Sequence, residues 1–307
     1  MAAKIPARFT NAEAARQHLE KLLWKNGRPC PHCGVLDNST ALKGKSTRPG
    51  VYWCNACQKP FSATVGTVME SSKIPLNIWL YVNHLLNSSK KGISAHQIAR
   101  MVGITYKSAW FLCHRIREAM KPPVGKDPLG GEGKTVEVDE TYIGTKADVK
   151  RKKGQVGYHH KHTVVSLVER GGKVRSFYMP QLRGADMNDV LARYVRPESH
   201  LKTDEWVLYT AAGKRFASHE TVNHSHGEYV RGEATTNTVE GVFSIFKRGM
   251  IGTYQHCGEQ HLQRYLAEFD FRYSNRIKLG VDDAMRADKA LEGIKGKRLT
   301  YRRTSGN

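Results

Sequence analysis

Thr135-Val136-Glu137-Val138-Asp139-Glu140-Thr141-Tyr142-Ile143 is the stretch on which the fold turns. Its β-branched and aromatic residues read as a strand. Three carboxylates sit inside it, and a carboxylate buried in a strand is costly unless something positive meets it. A divalent metal ion would do so. Side chains alternate along a strand, which puts Glu137 and Asp139 on one face and Glu140 on the other with Val136 and Val138. Spacing alone does not say which acid is a ligand.

Working outward, His162 to Val168 and Lys173 to Met179 read as strands joined at Gly171-Gly172. A helix pattern covers Asp186 to Tyr194, and short strands follow at His200 to Thr203 and Thr221 to His224. Helical periodicity then runs from Thr236 to about Arg276, with interruptions near Gly249 and Gly258. Strands first, then strands alternating with helices, predict a mixed α/β (α+β) domain.

Two more acids fall at telling places. Leu201-Lys202-Thr203-Asp204-Glu205 puts Asp204 just after a short strand, where α/β domains hold catalytic groups. Thr236 to Arg248 starts a helix whose Val239, Val242, Phe243 and Phe246 make a buried stripe, while Asn237, Glu240, Ser244 and Lys247 share another face. A carboxylate and a lysine two turns apart can hold a metal and a phosphate side by side. Taken singly, each acid also fits an ordinary solvated position.

Upstream, Cys30-Pro31-His32-Cys33 and Cys54-Asn55-Ala56-Cys57 are two C-x2-C knuckles separated by the 20 residues 34 to 53. That is the spacing of a four-cysteine zinc ribbon, with Cys30, Cys33, Cys54 and Cys57 as thiolate ligands of one structural Zn²⁺. His32 reads as a bystander, and Cys113 and Cys257 as core or surface thiols. A helix precedes the ribbon, started by a capping box at Thr10 and Glu13 and ended at Asn26-Gly27. After it, Ser94 caps one helix, Gly103 makes a turn and Thr105 caps the next, the layout of a helix-turn-helix or of an ordinary helical hairpin. In the first case Tyr106, Lys107 and Ser108 open the recognition helix, and Arg115 and Arg117 suit phosphates.

The balance of the 307 residues narrows the partner. Lys and Arg number 49 against 28 Asp and Glu, a formal charge of +21, which points to a polyanion. A hydrophobic content of 39%, with 5 Trp and 13 Tyr, is enough for a core and excludes a disordered basic tail protein. No apolar run approaches the roughly 18 to 20 residues of a membrane span, and the N-terminus lacks a signal peptide's apolar core, so no membrane association and a cytoplasmic location are expected. Pro and Gly between Lys121 and Lys134 mark a linker. The expected division is 1–62 for the N-terminal helix and ribbon, 63–120 for the helix-turn-helix segment, 121–134 for the linker, 135–285 for the α/β domain and 286–307 for a basic tail. Lys150, Arg151, Lys152 and Lys153 read as a phosphate-binding run or a solvated loop.

Asp139, Asp204 and Glu240, with 35 residues between the last two and Lys247 seven beyond, resemble the DDE motif of insertion-sequence transposases, whose catalytic core is RNase H-like. The phrases Val-Glu-Val-Asp-Glu-Thr-Tyr-Ile-Gly, Thr-Asn-Thr-Val-Glu-Gly and Arg-Tyr-Leu-Ala-Glu-Phe-Asp-Phe-Arg-Tyr bring it closest to the ISXO-like transposase domain, over about residues 135 to 276. Thr235 stands where that family often has His, and Phe243 where it often has Trp. The resemblance implies an enzyme in which Asp139, Asp204 and Glu240 hold two Mg²⁺ or Mn²⁺ ions and Lys247, helped by Arg248, contacts a phosphate. Some related families place Asn as the third motif residue, which keeps Asn237 as the alternative to Glu240. Implied partners are double-stranded DNA, both the element's terminal inverted repeats and target DNA, and further copies of the chain in a homo-oligomer. The same parts also suit a non-catalytic DNA-binding regulator, or a nuclease without strand transfer.

Overall fold

The computed structural model describes residues 5–123, 127–146, 149, 158, 160–204, 208–222 and 235–300. The chain forms two compact units, Met1–Lys121 together with Asp282–Asn307, and Pro122–Val281. Among the described residues no helix is long and apolar enough to cross a membrane.

The first unit opens with α1 (Ala7–Thr10) and α2 (Ala12–Leu23). The cap of α2 is Asn11, whose side chain accepts from the N–H groups of Glu13 and Ala14 at 2.9 Å each. The capping box expected at Thr10 is displaced by one residue because Thr10 closes α1. A three-stranded antiparallel sheet follows, β1 (Ser39–Ala41), β2 (Tyr52–Cys54) and β3 (Pro60–Phe61). Helices α3 (Leu76–Ser88), α4 (Ala95–Val102) and α5 (Tyr106–Met120) complete this stretch. Ser94 caps α4 and Thr105 caps α5, as their spacing predicts. Gly103 between them sits at φ +69°, a left-handed conformation that glycine adopts without penalty.

The second unit is a mixed α/β domain. Its strands are β4 (Thr135–Ile143), β5 (His162–Glu169), β6 (Val174–Met179), β7 (His200–Asp204) and β8 (Ser218–Val222), in the order β6-β5-β4-β7-β8. The first three are antiparallel in sequence, while β7 and β8 run parallel to β4. Helices α6 (Gly184–Tyr194) and α7 (Leu208–Gly213) interleave with β7 and β8, and α8 (Asn237–Gly249) and α9 (Glu259–Ser274) follow. Alternation along the strands builds a core on each face. Val136, Val138, Leu167 and Leu201 pack with Met187 and Leu191 of α6 and Tyr209 of α7. On the other face Val164 packs with Phe246 of α8, Met250, and Leu266 and Phe269 of α9.

Three boundaries differ from expectation. The edge strand begins at Ser218 rather than Thr221, because β7 sets its register from His200↔Ser218 to Asp204↔Val222; residues 223–224 lie outside those described. The linker ends early. Leu129 is buried in the core of the second unit, and its N–H donates to the Tyr194 carbonyl at 2.8 Å. The segment from 286 is not simply a basic tail. Asp283–Glu292 forms α10, capped by Asp282, with Ala287, Ala290 and Leu291 buried and Asn83 of α3 donating to the Ala287 carbonyl at 2.8 Å.

Candidate functional site

Strand β4 pairs with β7 only from Thr135 to Glu137, opposite His200 to Lys202, and beyond that the two strands part. Asp139 and Asp204 lie at the resulting fork. Asp139, Glu140 and Asp204 each bring a carboxylate oxygen within 4.8 Å of the others, all three half-buried. Burial, then the charge of Glu140, pushes the Asp139 carboxyl up to about 8, and Asp204 and Glu240 add to the push while the Glu140 N–H opposes it. Burial and the charge of Asp204 push Glu140 up to about 7, against the Tyr209 hydroxyl that donates to it at 2.8 Å. Carboxylates crowded together with too little positive charge are the electrostatic signature of a cation site. The donors are all oxygen, which suits a hard ion such as Mg²⁺ or Mn²⁺.

The third carboxylate of β4 belongs to a different device. Glu137 is fully buried and accepts from Arg170 Nε at 2.6 Å, the Thr238 N–H and hydroxyl at 2.9 Å each, and the Val239 N–H at 3.1 Å. Arg170 also donates to the Thr235 carbonyl at 2.9 Å. Thr236, the first flanking residue of α8, makes no side-chain cap bond, so Glu137 caps the helix from the sheet. That anchor directs α8 along β4 and keeps exposed Glu240 in the field of Asp139. Asn237 is exposed at the start of the same helix, and Lys247 is half-buried two turns beyond Glu240. Arg248 folds back on Ser244, its Nη2 donating to the hydroxyl at 2.8 Å.

Sequence reading left the role of Glu140 open and did not single out Tyr209, Arg170 or the capping role of Glu137. The available signal for Glu140 was an acid set among the apolar residues of a core-facing row. Tyr209 carried none, because α7 has only six residues.

In the ribbon, Cys30 Sγ and Cys57 Sγ lie 3.7 Å apart, as do Cys33 Sγ and Cys54 Sγ, and all four sulfurs fall within 4.8 Å. Four thiolates at about 2.3 Å from one tetrahedral ion would be separated by roughly 3.8 Å, so the donor set fits Zn²⁺. Each knuckle is a tight turn closed by a residue of positive φ, Gly34 at +79° and Gln58 at +53°. Backbone N–H groups of Cys57 and Ala56 draw the Cys54 thiol down to about 6, while burial and the neighbouring thiols push Cys57 up to about 12, the opposed shifts of sulfurs crowded into one site.

The helical segment divides the sequence-predicted DNA contacts. Tyr106 is exposed and stacks on His96 with ring centroids 4.0 Å apart, Lys107 is exposed, and Ser108 is tied into the Thr105 cap. Arg115 is not available to phosphates. It is buried, donates to the Glu70 carbonyl at 2.6 Å and lies 5.2 Å from the Trp79 ring centroid. Arg117 is buried as well. Lys150, Arg151, Lys152 and Lys153 lie outside the described residues.

The profile of the ISXO2-like transposase domain matches residues 128–274, and that of the transposase zinc-ribbon domain matches residues 10–60. Over 284 residues the chain is 27% identical to the uncharacterized protein in transposable element ISH50 of Halobacterium salinarum, covering 86% of this chain and 91% of that protein. With the acids on the α/β unit and the four cysteines on the ribbon, the chain joins a transposase zinc-ribbon domain to an ISXO2-like transposase domain.

Proposed function

We propose that the protein binds the ends of its own insertion sequence, cuts at their 3′ ends and joins them to target DNA in one site. The observation that carries this reading is the meeting of Asp139, Glu140 and Asp204 at the fork of β4 and β7, with Glu240 acting on Asp139 from α8. The sheet order, with acids on the first and fourth strands of the domain and another on a later helix, supports an RNase H-like core. The exposed start of α5 after the Gly103 turn supports a helix-turn-helix that presents Tyr106 and Lys107 to DNA.

Asp139, Asp204 and Glu240 would hold two Mg²⁺ or Mn²⁺ ions, with Glu140 beside them and Asn237 as the competing third ligand. Such ions, when bound, activate an attacking oxygen and stabilise the departing 3′ oxygen. The chain's own residues supply the positioning. Glu137 and Arg170 fix the start of α8, Tyr209 orients Glu140, and Lys247 meets a phosphate with Arg248 braced on Ser244. Water attacks first and frees a 3′-hydroxyl; that hydroxyl then attacks a target phosphodiester in line. Cutting two ends together calls for a homo-oligomer on DNA.

A plasmid transposition assay with the gene's own flanking ends, comparing the unaltered protein with Asp204→Asn in Mg²⁺ and in EDTA, tests the reading. Joined products only from the unaltered protein in Mg²⁺ support it. Ends bound but never cut would make the chain a DNA-binding regulator, and ends cut but never joined would make it a nuclease.

A further inference from the structure

The polar row on α8 continues past Lys247. At 100° per residue, Asn237, Ser244 and Lys247 lie within about 60° of Glu240, and Ile251, one turn beyond Lys247, opens out of the end of the same helix. Ile251 is 71% exposed, and the turn before it carries Lys247 and Arg248. A protein interface wants a contiguous apolar patch of several hundred Å². Here one aliphatic side chain stands beside cations, the arrangement of a wedge that enters a duplex while its neighbours meet the backbone.

The backbone at this point is also unusual. The helix widens to a π-helical turn, Met250–Tyr254, and Gln255 follows at φ +60°, ψ −49°, outside the left-handed region that L residues tolerate. Short bonds hold it there, from the Gln255 N–H to the Met250 carbonyl at 2.7 Å and from the His256 N–H to the Tyr254 carbonyl at 2.6 Å. The chain thereby turns back on itself and lines a cavity of 170 Å³ that Ile251 borders. Ile143, Met250 and Leu262 make its walls apolar, while His162, Gln255 and His256 bring ring and amide edges. Apolar walls with a few polar edges suit the flat faces and hydrogen-bonding rim of a nucleobase.

We propose that Ile251 is a wedge that unstacks one step of the DNA lying along α8, and that the cavity beside it receives the displaced base. The inference rests on the strand-transfer reading and adds a base-binding subsite to it.

The test uses the full-length, zinc-loaded protein and a duplex of the DNA flanking the gene, with 2-aminopurine placed in turn at each position near the cut. Binding is measured in metal-free buffer and cleavage in Mg²⁺. The expected result is a fluorescence rise of about threefold at one position, largely lost with Ile251→Ala and kept with Ile251→Phe, which preserves an apolar wedge. Overturning results are a duplex bound and cut with no position brightening, or the same rise with Ile251→Ala. A variant that changes only the sedimentation of the DNA-free protein would assign Ile251 to a protein contact and also end the proposal. A duplex neither bound nor cut by the unaltered protein sinks the strand-transfer reading first, and this one with it.

Discussion

Glu137 and Asp139 stand two residues apart on the same face of β4, and the fold treats them in opposite ways. Glu137 meets a guanidinium, two backbone N–H groups and a hydroxyl. Asp139 meets one backbone N–H at 2.7 Å and the charges of Glu140, Asp204 and Glu240. A buried acid whose donors balance it is part of the frame. A half-buried acid surrounded by like charge lacks that balance, and a cation would supply it. The strand thus passes within one pleat from an acid that its neighbours balance to one that they crowd, at the point where β7 leaves it.

The largest expected effect sharpens that contrast. Asp139→Asn should reduce end cleavage by about 10²- to 10³-fold or more, while its thermal melting stays at or above that of the unaltered protein because like-charge crowding is relieved. Parallel cleavage assays and melting curves check both halves. Glu137→Ala should do the reverse, costing about 3 kcal/mol in urea denaturation by stranding Arg170 and the start of α8. A wild-type denaturation midpoint for that variant would break the comparison. Tyr209→Phe removes the donor to Glu140 but leaves the acids in place, so Mn²⁺ affinity should fall about tenfold, read by calorimetric titration.

A further effect is in pH. Asp139 stands at about 8 in the folded chain against an ordinary value of 3.8, so the folded state binds its proton more tightly. In metal-free protein its contribution to stability is therefore greatest below about pH 4 and declines as pH rises toward 8. Denaturation across that range should show a decline that Asp139→Asn flattens. A profile rising with pH through the same window, unchanged by the substitution, would contradict the assignment.

Much of this was legible in the sequence because it was periodic or spaced. The strand Thr135–Ile143, the caps at Ser94 and Thr105 and the two cysteine knuckles depend on local pattern, and the structure has them where the pattern puts them. What escaped was set by distant partners. The cap on α8 comes from a strand 101 residues earlier in the chain. Tyr209 reaches Glu140 across 69 residues from a helix too short to show a period. Arg115 looks like a phosphate ligand by composition, yet faces Trp79 and the Glu70 carbonyl, because α5 has core on that side as well. The C-terminal helix was hidden by the charge that follows it, since Lys295, Lys297 and Arg298 suggest a solvated tail while Ala287, Ala290 and Leu291 just before them are buried.

The most direct test places Asp139→Asn and Glu137→Gln side by side in a Mg²⁺-dependent end-cleavage assay, with the folded fraction of each measured by circular dichroism. The account predicts that Asp139→Asn is fully folded and does not cleave, while Glu137→Gln cleaves in proportion to whatever fraction remains folded. Cleavage by folded Asp139→Asn at the unaltered rate, or its loss in fully folded Glu137→Gln, would contradict it.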